Sequence, residues 1–216
     1  TRSEMNFING RQGSPGEFTP PNAFVLHPYG RYCCANKLAG EIDLFEALDN
    51  IKKHYPIDEN RLVLRGFSMG GAACWQFATH FPDVWCAAAP GAGFAESAEF
   101  LNVARDRVPP TEYEKRLWRL YDATDYALNL YNLPTVAYSG EIDRQKQAAD
   151  MMAKALAAEG IELTHIIGPK TAHAIHPQSK IAIEERMKSL AQIVRDERPL
   201  DMEFATYTLR YKQLQW

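Results

Sequence analysis

The feature that most constrains the fold of this chain is the segment at residues 61–75, where an apolar run leads into Gly66-Phe67-Ser68-Met69-Gly70-Gly71 and then into a helix-forming stretch. This order is typical of a sharp strand-to-helix turn that holds a serine exposed above a sheet. Glycines two positions before and two after the serine let the backbone pass without Cβ clashes. The pattern predicts a nucleophilic Ser68, with the N–H of Met69 directed at the position where an oxyanion would form.

Short apolar runs alternate with helical patterns along most of the chain. Strands are predicted at residues 23–26, 62–65, 84–89, 135–138 and 161–167, and helices at 40–54, 145–158 and 178–195. Such alternation predicts an α/β fold, in which crossover helices cover both faces of a mostly parallel sheet.

The two ends and one internal stretch depart from this alternation. Residues 1–22, rich in glycine and proline, predict a loop-like N-terminal segment, and residues 198–216 predict the start of a C-terminal β segment with a half-exposed antiparallel strand at 204–211. The catalytic domain is then expected at 23–197. Within it, residues 94–133 contain two helical patterns around Pro109-Pro110 and predict a cap-like insertion over the site.

Composition limits the classes of partner. The chain has 216 residues and a net charge of −3, and its pI is about 6.1, which disfavours nucleic acid or an anionic membrane as a partner. No apolar run approaches the ~20 residues that span a bilayer. The four cysteines include no C-x-x-C pair and therefore indicate no zinc or redox site.

A serine on such a turn needs a base, and the base needs an acid that orients it. Asp143 follows the predicted strand at 135–138, and His173 follows the one at 161–167. Because parallel strands end at the same edge of a sheet, both side chains are expected near Ser68. The order Ser, Asp, His is the one found in enzymes with this turn.

Each partner of the serine has a rival nearby in the sequence. Glu141 lies two residues before Asp143 and could be the acid instead. His176 competes with His173, although it precedes a proline and borders the next helix. Asp143 is preferred because Glu141 has a longer side chain and an earlier position, and His173 is preferred because it is nearer the tip of its loop.

Three segments carry a resemblance to a known family: Gly66-Phe67-Ser68-Met69-Gly70-Gly71, Ser139-Gly140-Glu141-Ile142-Asp143 and Lys170-Thr171-Ala172-His173. They resemble the catalytic domain of the prolyl-oligopeptidase-like serine hydrolases, in the α/β-hydrolase superfamily, and the similarity covers residues 23–195. The resemblance implies an α/β-hydrolase fold and the triad Ser68, Asp143 and His173. Ala172 departs from the family, which often has glycine there.

The sequence leaves two alternatives for the second oxyanion donor. One strand and one helix precede the strand that leads to Ser68, which makes residues 23–26 the fourth strand and predicts that the first strands lie before Thr1, in a longer protein. Alternatively, residues 23–26 are the third strand, and Tyr29 donates through its N–H or hydroxyl.

The function expected from these residues is cleavage of a peptide or small ester through an acyl-enzyme, with no metal or organic cofactor. The main hypothesis is a prolyl-oligopeptidase-like peptidase, and the alternative enzyme is a carboxylic or carbohydrate-ester esterase. A non-catalytic α/β-hydrolase module that binds a partner is the alternative from another class. The oligomeric state and the cellular compartment stay open.

Overall fold

The computed structural model describes residues 4–14, 16–30, 34–105 and 110–215. Cys33, and Pro109 of the predicted break in the insertion, lie outside the described residues. The chain divides into two units, Thr1–Ile57 and Asp58–Trp216, which are described in turn.

The first unit contains two helices, α1 (Glu4–Gly13) and α2 (Ala39–His54). The prediction of a loop over residues 1–22 is therefore wrong at Glu4–Gly13, which form α1. Gly10 inside the helix costs about 1 kcal/mol relative to alanine, but Glu4 in the first turn and Arg11 in the last suit the helix dipole. The prediction of α2 is confirmed, since its limits fall within a residue of 40–54.

The strand predicted at residues 23–26 is also wrong. The described residues of the first unit include no strand, and Phe24 and Val25 are 59% and 43% exposed. An apolar run forms a strand only where a neighbour accepts its backbone hydrogen bonds. Here the Phe24 ring packs instead on Tyr55, with ring centroids 4.9 Å apart.

The second unit alternates strands and helices from its first strand onward. Its main elements are β1 (Val63–Phe67), α3 (Met69–His80), β2 (Ala87–Gly91), α4 (Ala98–Arg105), α5 (Glu112–Trp118), a 3-10 helix (Ala123–Asn132), β3 (Val136–Gly140), α6 (Lys146–Ala158), β4 (Thr164–Gly168) and α7 (Pro177–Gln192). The strands pair in the order β1-β2-β3-β4, and every pair is parallel. The predicted parallel sheet is confirmed.

Helices cover both faces of this sheet, as predicted. Phe67 of β1 packs against a core cluster to which α7 contributes Ile183 and Met187. Gly66 points to the opposite face, where a Cβ atom would lie 1.9 Å from the carbonyl oxygen of Gly70 in α3. Helices α3 and α7 therefore lie on opposite sides of β1.

An ion pair joins α7 to the strand that leads into the turn. Arg65 Nη1 and Nη2 donate to the two carboxylate oxygens of Glu184 at 3.0 and 2.7 Å. The Arg65 side chain is only 13% exposed, so this bidentate pair is partly shielded from solvent. It fixes α7 against β1 three residues before Ser68.

The predicted insertion has a closed base. Ala123 N–H donates to Ala95 O at 2.8 Å, and the Asp122 carboxylate accepts from Ser97 N–H at 2.9 Å and from Ser97 Oγ at 2.8 Å. The segment at residues 98–121, named here the 98–121 lobe, therefore leaves and rejoins the domain at one point. The 3-10 helix that follows contributes buried residues to the domain core, such as Tyr126.

The strand predicted at residues 204–211 is wrong, and side-chain amides explain why. Asn129 exchanges two hydrogen bonds with the backbone of Ala205, at 2.7 and 3.0 Å, and Asn132 exchanges two with Glu203, at 2.5 and 3.3 Å. The N–H and C=O groups of Glu203 and Ala205 are thus satisfied without a neighbouring strand, and Leu209–Tyr211 forms a short 3-10 helix. Tyr211 is buried against His80, with ring centroids 4.1 Å apart.

Candidate active site

The turn at Ser68 is sharp because two glycines allow a close backbone approach. Ser68 has φ 60° and ψ −120°, a left-handed conformation that is strained for a residue with a Cβ atom. A Cβ atom on Gly66 would meet Gly70 O at 1.9 Å, and one on Gly71 would meet Gly91 O at 2.1 Å. The sequence argument assigned this role to Gly70, but a Cβ atom there would meet nothing within 4 Å among the described residues. Gly71 is the residue that permits the close approach.

Ser68, His173 and Asp143 form a chain of hydrogen bonds. Ser68 Oγ lies 2.8 Å from His173 Nε2, and His173 Nδ1 lies 2.8 Å from Asp143 Oδ2. The ionised carboxylate can only accept, so Nδ1 carries the proton and Nε2 is left as the acceptor for the serine hydroxyl. The sequence placed these residues at the ends of three strands, and the structure brings them together.

The local surroundings of the acid and the base differ. The Asp143 side chain is 3% exposed, and its second oxygen accepts from Gln145 N–H at 2.9 Å. The His173 side chain is 41% exposed, and its ring lies 4.9 Å from the ring of Phe67. Asp143 is therefore fixed by burial and two hydrogen bonds. His173 is more exposed and is held by its contacts with Asp143, Ser68 and the Phe67 ring.

The two rival residues make other contacts. The Glu141 carboxylate accepts from Lys170 N–H at 2.7 Å, in the loop that leads to His173. His176 N–H donates to the Tyr138 hydroxyl at 2.8 Å, and His176 Nδ1 is buried without a hydrogen-bond partner. Within the described part of the chain, His173 is the histidine that contacts Ser68 Oγ.

The two predicted oxyanion donors lie in different units. Met69 is the first residue of α3, and the N–H groups in the first turn of a helix have no intrahelical acceptor. Tyr29 lies in the first unit, where its ring is 5.3 Å from the ring of Phe7. The oxyanion role of each stays a prediction.

Sequence reasoning missed three residues that hold the site together: Phe67, Tyr138 and Gln145. Tyr138 lies in β3 and is 3% exposed; its hydroxyl donates to Ala174 O at 2.8 Å, one residue after His173. A tyrosine hydroxyl is protonated at neutral pH, and burial raises the pKa of Tyr138 further. A tyrosine in an apolar strand is ordinary core composition, and no pattern in the sequence predicts its contact with a distant loop.

Two negative findings apply to the described residues. No group of three or more His, Cys, Asp or Glu side chains in these ranges is arranged to hold a metal ion. No helix in the same ranges combines the length and the apolar character needed to cross a membrane.

Solved structures with a similar fold include two peptidases and an S-formylglutathione hydrolase. A puromycin-hydrolyzing peptidase from Mycobacterium tuberculosis is 19% identical, with a TM-score of 0.59 over 74% of this chain and 26% of that one. The acylaminoacyl peptidase of Pyrococcus horikoshii is 16% identical, with a TM-score of 0.56 over 74% of this chain and 28% of that one. An S-formylglutathione hydrolase from Agrobacterium tumefaciens is 20% identical, with a TM-score of 0.55 over 72% of this chain and 57% of that one.

These likenesses show the fold, which is that of the α/β-hydrolases. The chain spans about a quarter of the length of the two peptidases and 57% of the length of the S-formylglutathione hydrolase. No curated protein matches the chain significantly.

The model of the prolyl oligopeptidase family matches residues 36–193, well over half of the chain. The matched region contains Ser68, Asp143 and His173 together with the whole parallel sheet. The resemblance first noted in three short segments therefore extends across the domain, and the chain belongs to the prolyl oligopeptidase family.

Proposed function

We propose that this chain is the catalytic part of a serine hydrolase that cleaves a peptide or ester bond through an acyl-enzyme. The observation that carries the proposal is the chain of hydrogen bonds from Ser68 Oγ through the His173 ring to Asp143. A serine hydroxyl is a weak nucleophile without such a base and acid. In this proposal the catalytic domain extends over residues 23–197.

The proposed reaction begins with attack by Ser68 Oγ on the carbonyl carbon of the substrate. His173 Nε2 takes the serine proton, Asp143 stabilises the resulting imidazolium, and Met69 N–H donates to the oxyanion. His173 then gives the proton to the departing amine or alcohol, which leaves an ester between Ser68 and the acyl group. Water, deprotonated by His173, hydrolyses this ester and restores the free serine.

Peptidases and esterases share this chemistry, and the structural neighbours include both classes. The family supports a peptide substrate, because the matched family is named for an oligopeptidase. The discriminating experiment compares hydrolysis of aminoacyl amides with that of acyl esters of the same side chain. Efficient cleavage of the amides supports the peptidase, whereas turnover of the esters alone would assign the chain to the esterases.

We expect a fluorophosphonate probe to label the protein covalently at Ser68, because this reagent reacts with a serine that a neighbouring base has activated. Mass spectrometry of the labelled peptide identifies the modified residue. The matched control is Ser189→Ala, on the exposed side of α7, which should label like the wild type. A folded protein that the probe does not label would support the alternative of a non-catalytic binding module.

The proposed role of the predicted insertion at residues 94–133 is to limit access to Ser68, and we assign it to the 98–121 lobe because the 3-10 helix that follows is part of the domain core. We expect the intact protein to prefer small substrates. Ser97 and Asp122 are hydrogen-bonded, so a short Gly-Ser linker can replace the lobe while leaving its base intact. The trimmed protein should accept longer peptides, measured as kcat/KM over a series of increasing length. An unchanged preference after trimming would contradict the role in access.

A further inference from the structure

We propose that Tyr138 is a positioning residue for His173, whose hydroxyl fixes the turn that carries the imidazole. The inference rests on the proposed function, because it concerns the base of the same site. It adds a residue of β3 that acts through the turn at His173, by hydrogen bonds to Ala174 O and His176 N–H.

The backbone at His173 forms a turn with little support of its own. Ala174 N–H donates to Ala172 O at 2.8 Å, which makes His173 the central residue of a three-residue γ-turn. This turn contains a single hydrogen bond, and the side chain at its centre is 41% exposed. Neither burial nor regular secondary structure therefore fixes the path of the backbone at this point.

Three hydrogen bonds to Tyr138 and Ile142, which lie outside the turn, supply that support. On the far side of the turn, the Tyr138 hydroxyl donates to Ala174 O and accepts from His176 N–H, both at 2.8 Å. On the near side, Ile142 N–H donates to Thr171 O at 3.1 Å. Both supports come from β3 and the loop after it, which also carries Asp143. The acid and the turn that holds the base are thus attached to the same strand.

Two glycines keep the space that these contacts need. A Cβ atom on Gly168 would lie 2.4 Å from the Tyr138 hydroxyl oxygen and 2.8 Å from His176 Cβ. A Cβ atom on Gly140 would lie 2.2 Å from Ala172 O. The strands are therefore shaped to admit the hydroxyl and the turn at close range.

The test is Tyr138→Phe, which removes the hydroxyl and keeps the ring. Because misplacement of a reacting group by about 1 Å can cost ~10²-fold, we expect the rate of Ser68 labelling by a fluorophosphonate to fall by about 10- to 100-fold. With p-nitrophenyl acetate as substrate, kcat should fall to a similar extent, and KM should change by less than about twofold, as for loss of an interaction that acts in the transition state. The downfield proton NMR signal of His173 Nδ1–H should shift or broaden.

Tyr126→Phe is the matched control. Tyr126 is fully buried, and its hydroxyl donates to a backbone carbonyl, Leu120 O, at 3.0 Å. Both variants lose a buried hydroxyl, so both are expected to unfold at lower temperature, but Tyr126→Phe should keep the wild-type labelling rate and NMR signal.

Gly168→Ala provides a second route to the same contact, since the added methyl group would displace the Tyr138 hydroxyl. Alone it should lower the labelling rate as Tyr138→Phe does. The two changes together should cost less than the product of their separate effects, because they act on one contact.

A folded Tyr138→Phe protein that labels within about twofold of the wild-type rate would overturn this inference, since misplacement of the base predicts a much larger loss. An equal loss in Tyr126→Phe would overturn it as well. Labelling of Ser68→Ala at the wild-type rate is a different result, which would overturn the proposed function itself together with this inference.

Discussion

Replacing Ser68 with alanine is expected to lower kcat by about 10⁴-fold or more, the range measured when the nucleophile of a serine hydrolase is removed. The substitution removes the atom that forms the covalent bond to the substrate and leaves His173 and Asp143 in place. Turnover of a chromogenic ester and the fluorophosphonate labelling rate measure the loss.

Ser68→Gly separates the chemical role of this residue from its conformation. Ser68 has φ 60°, a region that costs a residue with a Cβ atom about 1–2 kcal/mol and that glycine adopts freely. The glycine variant should therefore be as inactive as the alanine variant but unfold at a higher temperature. A folded Ser68→Ala protein with wild-type turnover would show that another residue is the nucleophile.

The second large effect is expected at His173. His173→Ala should lower kcat by about 10³-fold or more, because it removes the base that lies 2.8 Å from Ser68 Oγ. His176→Ala, three residues away, should have only a mild effect on kcat, because it keeps the backbone N–H that donates to Tyr138 and leaves the His173 contact with Ser68 Oγ in place. Parallel measurements of kcat for the two variants show which histidine is the base.

Added imidazole provides an internal check on this interpretation. The His173 side chain is 41% exposed, so a small base can reach the space that the alanine leaves. Imidazole should restore part of the activity of His173→Ala and none to Ser68→Ala. If His176→Ala lost activity while His173→Ala kept it, His176 would be the base instead.

The sheet was predictable because its strands are apolar runs bounded by Gly and Pro. The boundaries were less so: β2 begins at Ala87 rather than at Val84, and β4 begins at Thr164 rather than at Ile161. Apolar character indicates burial, but a strand also needs a partner backbone. The same physical reason explains why the strands predicted at residues 23–26 and 204–211 do not form. Apolar character at the first and alternation at the second suggested a strand, but neither segment pairs with another strand in the described part of the chain.

The candidate site could be predicted where its residues stand at the ends of strands. Ser68, Asp143 and His173 were identified from a motif, a chain order and the shared edge of a parallel sheet, and their hydrogen bonds agree with that placement. Their catalytic roles stay predictions. The contacts of Phe67 and Tyr138 with the histidine loop could not be predicted, since they depend on side-chain packing between residues far apart in sequence.

The two asparagines that hold the C-terminal segment depend on the geometry of their helix. A 3-10 helix rises about 2.0 Å per residue with three residues per turn, so Asn129 and Asn132 project from the same side about 6 Å apart. Alternate residues of an extended chain, such as Glu203 and Ala205, are about 6.6 Å apart, which nearly matches. An α-helix would place the same asparagines about 4.5 Å apart along the axis and about 60° apart around it. This 3-10 helix therefore offers the spacing of a sheet edge to an extended segment, with side-chain amides in place of peptide groups.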